Sequence, residues 1–301
     1  MQTFNRIVVF GVGLIGGSFA LALKRAGAVA EVIGVGRRRE TLERAKALGI
    51  IDQIGSAASV AGADLVLLAA PVAQTETLLR DIAPHLQAGT VVTDAGSTKT
   101  DVVLAARAAL GNKIAQFVPG HPIAGREQNG PEAALPALYQ GKKVVLTALP
   151  ENADACVAKV AAAWQQCGAI IHRLSADEHD AVFAAVSHLP HLLAYALVDD
   201  IAARGNAARL FQYAASGFRD FTRIAGSSPE MWRDISLANR PALLAELDAY
   251  TAQLAQLRAL LAAADGAGLE KIYGRAQAAR QAWIAAIEAA EQARADEQGG
   301  D

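Results

Sequence analysis

The stretch Ile7-Val8-Val9-Phe10-Gly11-Val12-Gly13-Leu14-Ile15-Gly16-Gly17-Ser18 decides the fold. Four apolar residues read as a strand buried on both faces, glycines follow at once, and a helical pattern starts at Ser18. In the spacing Gly11-x-Gly13-x-x-Gly16 each glycine has a mechanical reason. Gly11 permits a tight turn, Gly13 lets a pyrophosphate approach the backbone, and Gly16 allows the helix to pack closely on the strand. With Leu14 and Ile15 they form a turn whose phosphates would meet the positive end of the helix, so a dinucleotide site is expected. Residues 7–23 also follow Arg6 and are mostly apolar, which superficially resembles a signal peptide or a short membrane span. Gly11, Gly13, Gly16 and Gly17 interrupt that run, no small-residue cleavage pattern follows, and Lys24 and Arg25 close it. No other run is expected to reach membrane length, so the reading is a soluble, untargeted protein.

Outward from this turn the first half alternates short β-rich runs with helical patterns, the grammar of a parallel sheet with crossover helices. Strands are expected at residues 7–10, 32–35, 65–68 and 91–93, then at 116–118, 143–147 and 169–172. Helices are expected at 18–26, 40–48, 75–85, 100–109 and 152–167. The fold class is thus α/β, a Rossmann-type doubly wound domain over residues 1–173. After Arg173 alanine and leucine dominate and β-branched runs vanish, which predicts an all-helical substrate and dimerisation domain over 174–293 and a frayed polar tail over 294–301. Its stretches 177–203 and 241–263 are long and apolar on more than one face, and helices of that kind need a partner. A homodimer through the helical domain is expected.

Composition fits this plan. The chain has 301 residues, 52% hydrophobic and 19% charged, so a large core is available, and two domains suit the length better than one. A net charge of −2 gives no bulk attraction to nucleic acid or anionic lipid. Cys156 and Cys167 share one expected helix without CxxC spacing or a histidine cluster, so neither a disulfide framework nor a metal site is expected, and a reducing cytoplasm fits.

The second strand bears on which dinucleotide binds. An NAD site usually places Asp or Glu about 20 residues past the glycines, to bind the ribose 2′-hydroxyl. Here Gly36 stands at that place, followed by Arg37-Arg38-Arg39. Three arginines at a helix start oppose its dipole, which makes sense if a 2′-phosphate neutralises them. NADP is favoured, with NAD possible; a solvated basic turn held by Glu40 and Glu43 would be the plain structural alternative.

Three further clusters stand out. Residues 94–99, Asp-Ala-Gly-Ser-Thr-Lys, follow a strand and so lie at the carboxyl edge of the sheet, where open α/β folds bind ligands. Gly120-His121-Pro122-Ile123-Ala124-Gly125 follows the next strand, and Pro122 biases His121 toward extended geometry on a stiff loop. Ser187-His188-Leu189-Pro190-His191 lies inside the first long helix of the second domain, where Pro190 should kink the chain beside His188. Asp94 and Ser97 could merely cap a helix, and either histidine could be a packed residue. Their coincidence at one sheet edge and on the adjacent helix favours function.

The set of residues 11–18, 94–99, 120–125 and 187–191, with Gly217-Phe218-Arg219-Asp220-Phe221-Thr222-Arg223-Ile224-Ala225 and Met231-Trp232-Arg233-Asp234-Ile235, resembles the prephenate/arogenate dehydrogenase family of tyrosine biosynthesis. The motifs run in family order from Arg6 to about Ala290. The resemblance implies NAD(P)-dependent oxidative decarboxylation of prephenate, arogenate or both, giving 4-hydroxyphenylpyruvate or tyrosine. It implies that His121 is the catalytic histidine at the ring 4-hydroxyl, with Ser97 hydrogen-bonded nearby. His188 would contribute to substrate binding, Arg223 would hold a substrate carboxylate, and Asp220 would brace Arg223. Arg219, four residues before Arg223, would be relieved of repulsion by the same anion. An imidazole accepting the hydroxyl proton suits the chemistry, and a pKa near 7 suits the task.

Two alternatives remain. β-Hydroxyacid dehydrogenases share the two-domain plan but use a catalytic lysine from the interdomain helix, and no lysine stands between Lys159 and Lys271. A non-catalytic NADP-sensing dimer would need the glycine turn but neither His121 nor Arg223. With no further module expected before Met1 or after the helical domain, any feedback by tyrosine would act at the active site.

Overall fold

A computed structural model describes residues 3–126 and 128–298, with side chains for all of these but 291 and 293–298. The chain divides into two compact units, Met1–Leu244 and Ala245–Asp301.

In the first unit, β1 (Phe4–Phe10), β2 (Val29–Val35), β3 (Gln53–Ile54), β4 (Leu65–Leu68), β5 (Val91–Asp94) and β6 (Phe117–Val118) form a six-stranded sheet in the order β3-β2-β1-β4-β5-β6. Every pair in it is parallel. The crossovers run through α1 (Leu14–Arg25), α2 (Arg39–Ala47), α3 (Thr75–Ile82) and α4 (Thr100–Leu110). Alternation along each strand splits the core in two. Ile7, Val9, Leu65 and Leu67 face one layer with Phe19 and Leu23 of α1, while Val8, Phe10, Val66 and Leu68 face the other with Leu79, Ile82, Val102 and Ala106 of α3 and α4. Burial on both faces explains why these strands read as unbroken apolar runs. Each fully buried Val, Leu or Ile contributes about 1.5–3 kcal/mol, which fixes the register at the sheet's carboxyl edge.

One expectation needs correction. The strands after residue 118 do not extend the doubly wound sheet. Pro119 interrupts the ladder, and β7 (Gly120–Pro122), β8 (Lys143–Leu146) and β9 (Ile170–Arg173) form a separate three-stranded sheet, β7 antiparallel to β8 and β8 parallel to β9. His121 therefore sits on a strand, paired with Val145, and not on a free loop. Helix α5 (Asp154–Gln166) leads into β9, and its Trp164 is enclosed by Phe19 at 4.6 Å and Tyr139 at 5.1 Å between ring centroids.

After β9 the described chain is helical. The helices are α6 (Ala176–Phe183), α7 (Leu189–Ala202), α8 (Ala207–Gln212), α9 (Ser216–Thr222) and α10 (Pro229–Ala238). Ser175 caps α6 by accepting from the Glu178 backbone N–H, and Glu178 returns the bond to the Ser175 N–H. The irregularity expected beside His188 is a single π-helical turn, Ala184–His188, which joins α6 to α7 directly before Pro190. Pro190 has no N–H to give to the carbonyls of that turn, and the wider turn accommodates the missing bond. The stretch Ala176–Ala202 is also apolar and long enough to cross a bilayer, contrary to expectation. It carries His179, Asp180 and His188, all buried and bonded to other residues of the unit.

The last helices are α11 (Arg240–Ala262), which starts in the first unit, and α12 (Gly266–Gln298). Asp265 joins them by accepting from the Gly268 N–H at 2.9 Å. Helix α12 runs through most of the tail expected to fray, and residues 299–301 lie outside those described. Leu254, Leu261, Tyr273, Trp283 and Ile287 are exposed on these two helices.

Candidate active site

Two constructions share the carboxyl edge of the large sheet. The first is a cavity of about 860 Å³ at the switch point where β1 and β4 run side by side with their crossovers on opposite faces. Gly11, Gly13, Gly36, Arg37, Arg38, Thr41, Pro71, Gln74 and Glu230 are among the residues around it. The glycines fit a dinucleotide on three separate grounds. Gly11 has φ +87°, and a Cβ there would collide with the Ala69 carbonyl oxygen. A Cβ on Gly16 would strike the Gly11 carbonyl oxygen and come within 2.7 Å of Val9, which is the close helix-to-strand contact the motif requires. At Gly13 a Cβ would meet nothing within 4 Å, so the backbone is open to the cavity. Helix α1 has no side-chain cap and no acid in its first turn, leaving its N–H groups available to an anion.

Leu14, Ile15 and Gly16 shape this turn without lining the cavity. Leu14 is buried, and the Ile15 carbonyl accepts from the Tyr139 hydroxyl at 2.6 Å. The arginine run divides. Arg37 and Arg38 border the cavity, whereas Arg39 is in the first turn of α2 and donates to Glu43 at 2.9 Å. The i,i+4 spacing gives Arg39 a partner on its own helix, so it is not among the cavity's residues.

The second construction is a buried cluster of histidines. The Asp94 carboxylate, 2% exposed, accepts from the Gly96 N–H at 2.8 Å and from the Gly120 N–H at 3.0 Å, and is paired with the fully buried Lys99 ammonium. That carboxylate ties the loop of residues 94–99 to the strand bearing His121. His121 Nδ1 lies 2.8 Å from His179 Nε2, and His179 Nδ1 lies 2.8 Å from Asp180 Oδ1. Asp180 also accepts from the backbone N–H groups of Lys99 and Thr100, each at 2.8 Å. Burial works against the charge of Asp180, but the bonds from His179, Thr100 and Lys99 hold its pKa below the usual carboxylate range.

These contacts fix proton positions. An ionised Asp180 can only accept, so His179 carries its proton on Nδ1. Burial keeps the His179 ring neutral despite Asp180, which leaves Nε2 as an acceptor for His121 Nδ1–H. The His121 ring is then aimed with its Nε2 lone pair uncommitted to any described residue. Burial first, then His179, Lys99 and His188, push its pKa well below 6.5. The expected value near 7 is thus corrected: no counter-charge reaches this ring directly, and desolvation favours its neutral form.

His188 joins from the π-helical turn. It is 1% exposed, its Nδ1 lies 3.0 Å from Asn239 Nδ2, and its Nε2 has no hydrogen-bond partner among the described residues. Burial lowers its pKa to about 4, although the Ser97 carbonyl and Asp180 pull the other way. The Ser97 backbone is therefore beside His188, while its hydroxyl makes no hydrogen bond to His121 among the described residues. Trp232 of α10 meets His188 edge-on at 6.0 Å and stacks on His191 at 3.6 Å.

Arg223 begins a 3₁₀ turn, Arg223–Gly226, and its charge lowers the pKa of His191 after burial and against the Ser187 carbonyl. Its charge is thus felt at His191, the ring stacked on Trp232. Arg219 and Asp220 stand exposed on α9. Arg223 keeps helical backbone angles where α9 passes into the 3₁₀ turn, so it follows Arg219 and Asp220 at helical spacing. His179, Asp180, Asn239 and the cavity's Glu230 escaped the sequence reading. The one local signal was the capping box Ser175-x-x-Glu178, which marks a helix start just before the His-Asp pair.

Comparison with known proteins agrees with this geometry. The nucleotide-binding domain of prephenate dehydrogenase matches residues 19–173 and its dimerization domain matches residues 175–274. A cyclohexadienyl dehydrogenase of Zymomonas mobilis is 37% identical over 286 residues, 94% of this chain and 97% of the relative. A prephenate dehydrogenase from A. aeolicus, solved with hydroxyphenyl propionate and NAD+, superposes with a TM-score of 0.84 at 36% identity, covering 96% of this chain and 98% of that one. A Synechocystis arogenate dehydrogenase gives a TM-score of 0.78 at 30% identity over 92% of this chain and 99% of its own. With a glycine turn that fits a dinucleotide and matches of this extent along both halves, the chain belongs to the prephenate dehydrogenase family.

Proposed function

We propose that the chain catalyses NAD(P)-dependent oxidative decarboxylation of prephenate, arogenate or both, and takes NADP in preference to NAD. The observation that carries the reading is the bond between His121 Nδ1 and His179 Nε2, which leaves His121 Nε2 a neutral, directed base beside a dinucleotide-binding sheet edge. Bound oxidised nicotinamide supplies the hydride acceptor. His121 Nε2 takes the proton of the ring hydroxyl as hydride leaves the same carbon, so the oxygen moves toward a carbonyl. Loss of the ring carboxylate as CO2 returns its bonding pair to the ring, and the proton goes back from His121 to give the phenol. Aromatisation supplies driving force, so the residues mainly position the substrate and exclude water.

His188 Nε2–H and the Arg223 guanidinium serve the substrate's anionic groups, with Ser97 near the hydroxyl and Arg219 and Asp220 farther out on α9. NADP preference rests on Arg37 and Arg38 at the cavity and on Gly36, which offers no carboxylate to a ribose 2′-hydroxyl. The A. aeolicus relative was solved with NAD+, and dual use by this chain is the second reading. We further assign residues 1–173 to dinucleotide binding and 174–293 to substrate binding and homodimerisation. The exposed apolar residues of α11 and α12 fit a homodimer, and free Cys156 and Cys167 fit the cytoplasm.

The test is to mix purified protein with prephenate or arogenate and NADP or NAD, and to follow reduced nicotinamide. Turnover of at least one substrate, with a higher kcat/KM for NADP, is expected. No turnover of either substrate with either cofactor would reject the activity, and equal or higher kcat/KM with NAD would reject the preference.

A further inference from the structure

Asn239, at the end of α10, is 3% exposed, and its side chain bonds residues far away in sequence. Its Nδ2 donates to the Asp180 carbonyl oxygen at 2.8 Å and lies 3.0 Å from His188 Nδ1. The Asp180 carbonyl can only accept, which identifies the Asn239 atom as the amide nitrogen and not the oxygen. That nitrogen has two protons. One goes to Asp180, and the other is left for His188 Nδ1, which must then be unprotonated.

We infer that Asn239 is a positioning residue of the reaction, which locks His188 as the tautomer protonated on Nε2 and so presents a buried neutral N–H donor to an anionic group of the substrate. Two further observations agree. Among the described residues no hydrogen bond within normal geometry satisfies the buried His188 Nε2, as befits a donor open to a ligand, although the Ser97 carbonyl stands beside the ring. Desolvation keeps the ring uncharged, so its usefulness depends on which nitrogen holds the single proton. The consequence is an opposition between two histidines. Asp180 reaches His121 through its carboxylate and His179, making His121 Nε2 an acceptor. The same residue holds Asn239 through its carbonyl, making His188 Nε2 a donor. One residue thereby sets base and binding donor in opposite proton states.

This inference rests on the proposed activity, and its test separates the two. In full-length protein labelled with 15N-histidine, long-range 1H–15N spectra distinguish the protonated from the bare nitrogen of each ring. The His188 signals, assigned by their loss in His188→Asn, should show a protonated Nε2 and a bare Nδ1. Asn239→Asp replaces the donor by an acceptor and should move the proton to Nδ1. KM for prephenate or arogenate should then rise about tenfold or more, the size expected for losing a hydrogen bond to a charged group, with KM for the dinucleotide unchanged. Asn239→Ala should give mixed tautomers and a smaller rise. A wild-type His188 protonated on Nδ1 would overturn the inference, a result that needs no variant to fold. So would Asn239→Asp with a shifted tautomer and an unaltered substrate KM. Wild-type protein inactive on both substrates would instead overturn the activity from which this inference starts.

Discussion

The dinucleotide cavity and the histidine cluster lie on one sheet edge but recognise by opposite means. Around the cavity the backbone does most of the work: open space at Gly13, a positive φ at Gly11, uncapped N–H groups of α1, and exposed Arg37 and Arg38 at the rim. In the cluster the backbone mainly braces side chains whose proton positions matter. Asp94 and Asp180 each accept from two backbone N–H groups, and the rings of His121, His179 and His188 are held neutral by burial. An exposed site tolerates substitution of a rim charge, because water takes its place. A buried network leaves an orphaned donor or acceptor when one member is removed.

Substitutions can break this contrast. The largest effect belongs to His121→Asn, which keeps a polar side chain on the strand but removes the basic nitrogen. We expect kcat to fall by about 10²–10⁴-fold, the usual contribution of a general base, while the dinucleotide Kd measured by titration stays within twofold or so. Full turnover would move the base elsewhere, and a lost dinucleotide Kd would show that the two constructions are one. A smaller effect is expected at the rim. Arg37→Ala with Arg38→Ala should lower the ratio of kcat/KM for NADP over NAD by about tenfold, with KM for the organic substrate unchanged. An unaltered ratio would leave the two arginines as solvated surface.

The same contrast governs what could be read from sequence. The glycine turn was legible because all its geometric demands fall within residues 11–16, next to a strand whose apolar run declares burial on both faces. His121 and His188 were legible by residue type and by resemblance. Their partners were not: 58 residues separate His121 from His179, 59 separate Asp180 from Asn239, and 51 separate His188 from Asn239. No local periodicity encodes such a network. The second sheet was missed because Gly120–Pro122 is too short for an alternating pattern to register. A disturbance beside His188 was legible because Pro190 is a visible helix breaker, whereas its form, a π-helical turn, was not. Arg39 looked equivalent to Arg37 and Arg38 until the helix start placed Glu43 one turn away.

The central claim is that His121 works as a half-buried base kept neutral by its surroundings, and the pH profile of kcat/KM for the wild-type enzyme tests it most directly. Only neutral His121 can accept the proton, and its pKa lies well below the ordinary histidine value of 6.5, so activity should be lost only as pH falls through that lowered value. The account predicts a rate that is level from pH 8 down through 6.5, with the fall beginning at more acid values. A half-maximal rate at or above pH 6.5 would contradict it, because the base would then titrate as an exposed imidazole.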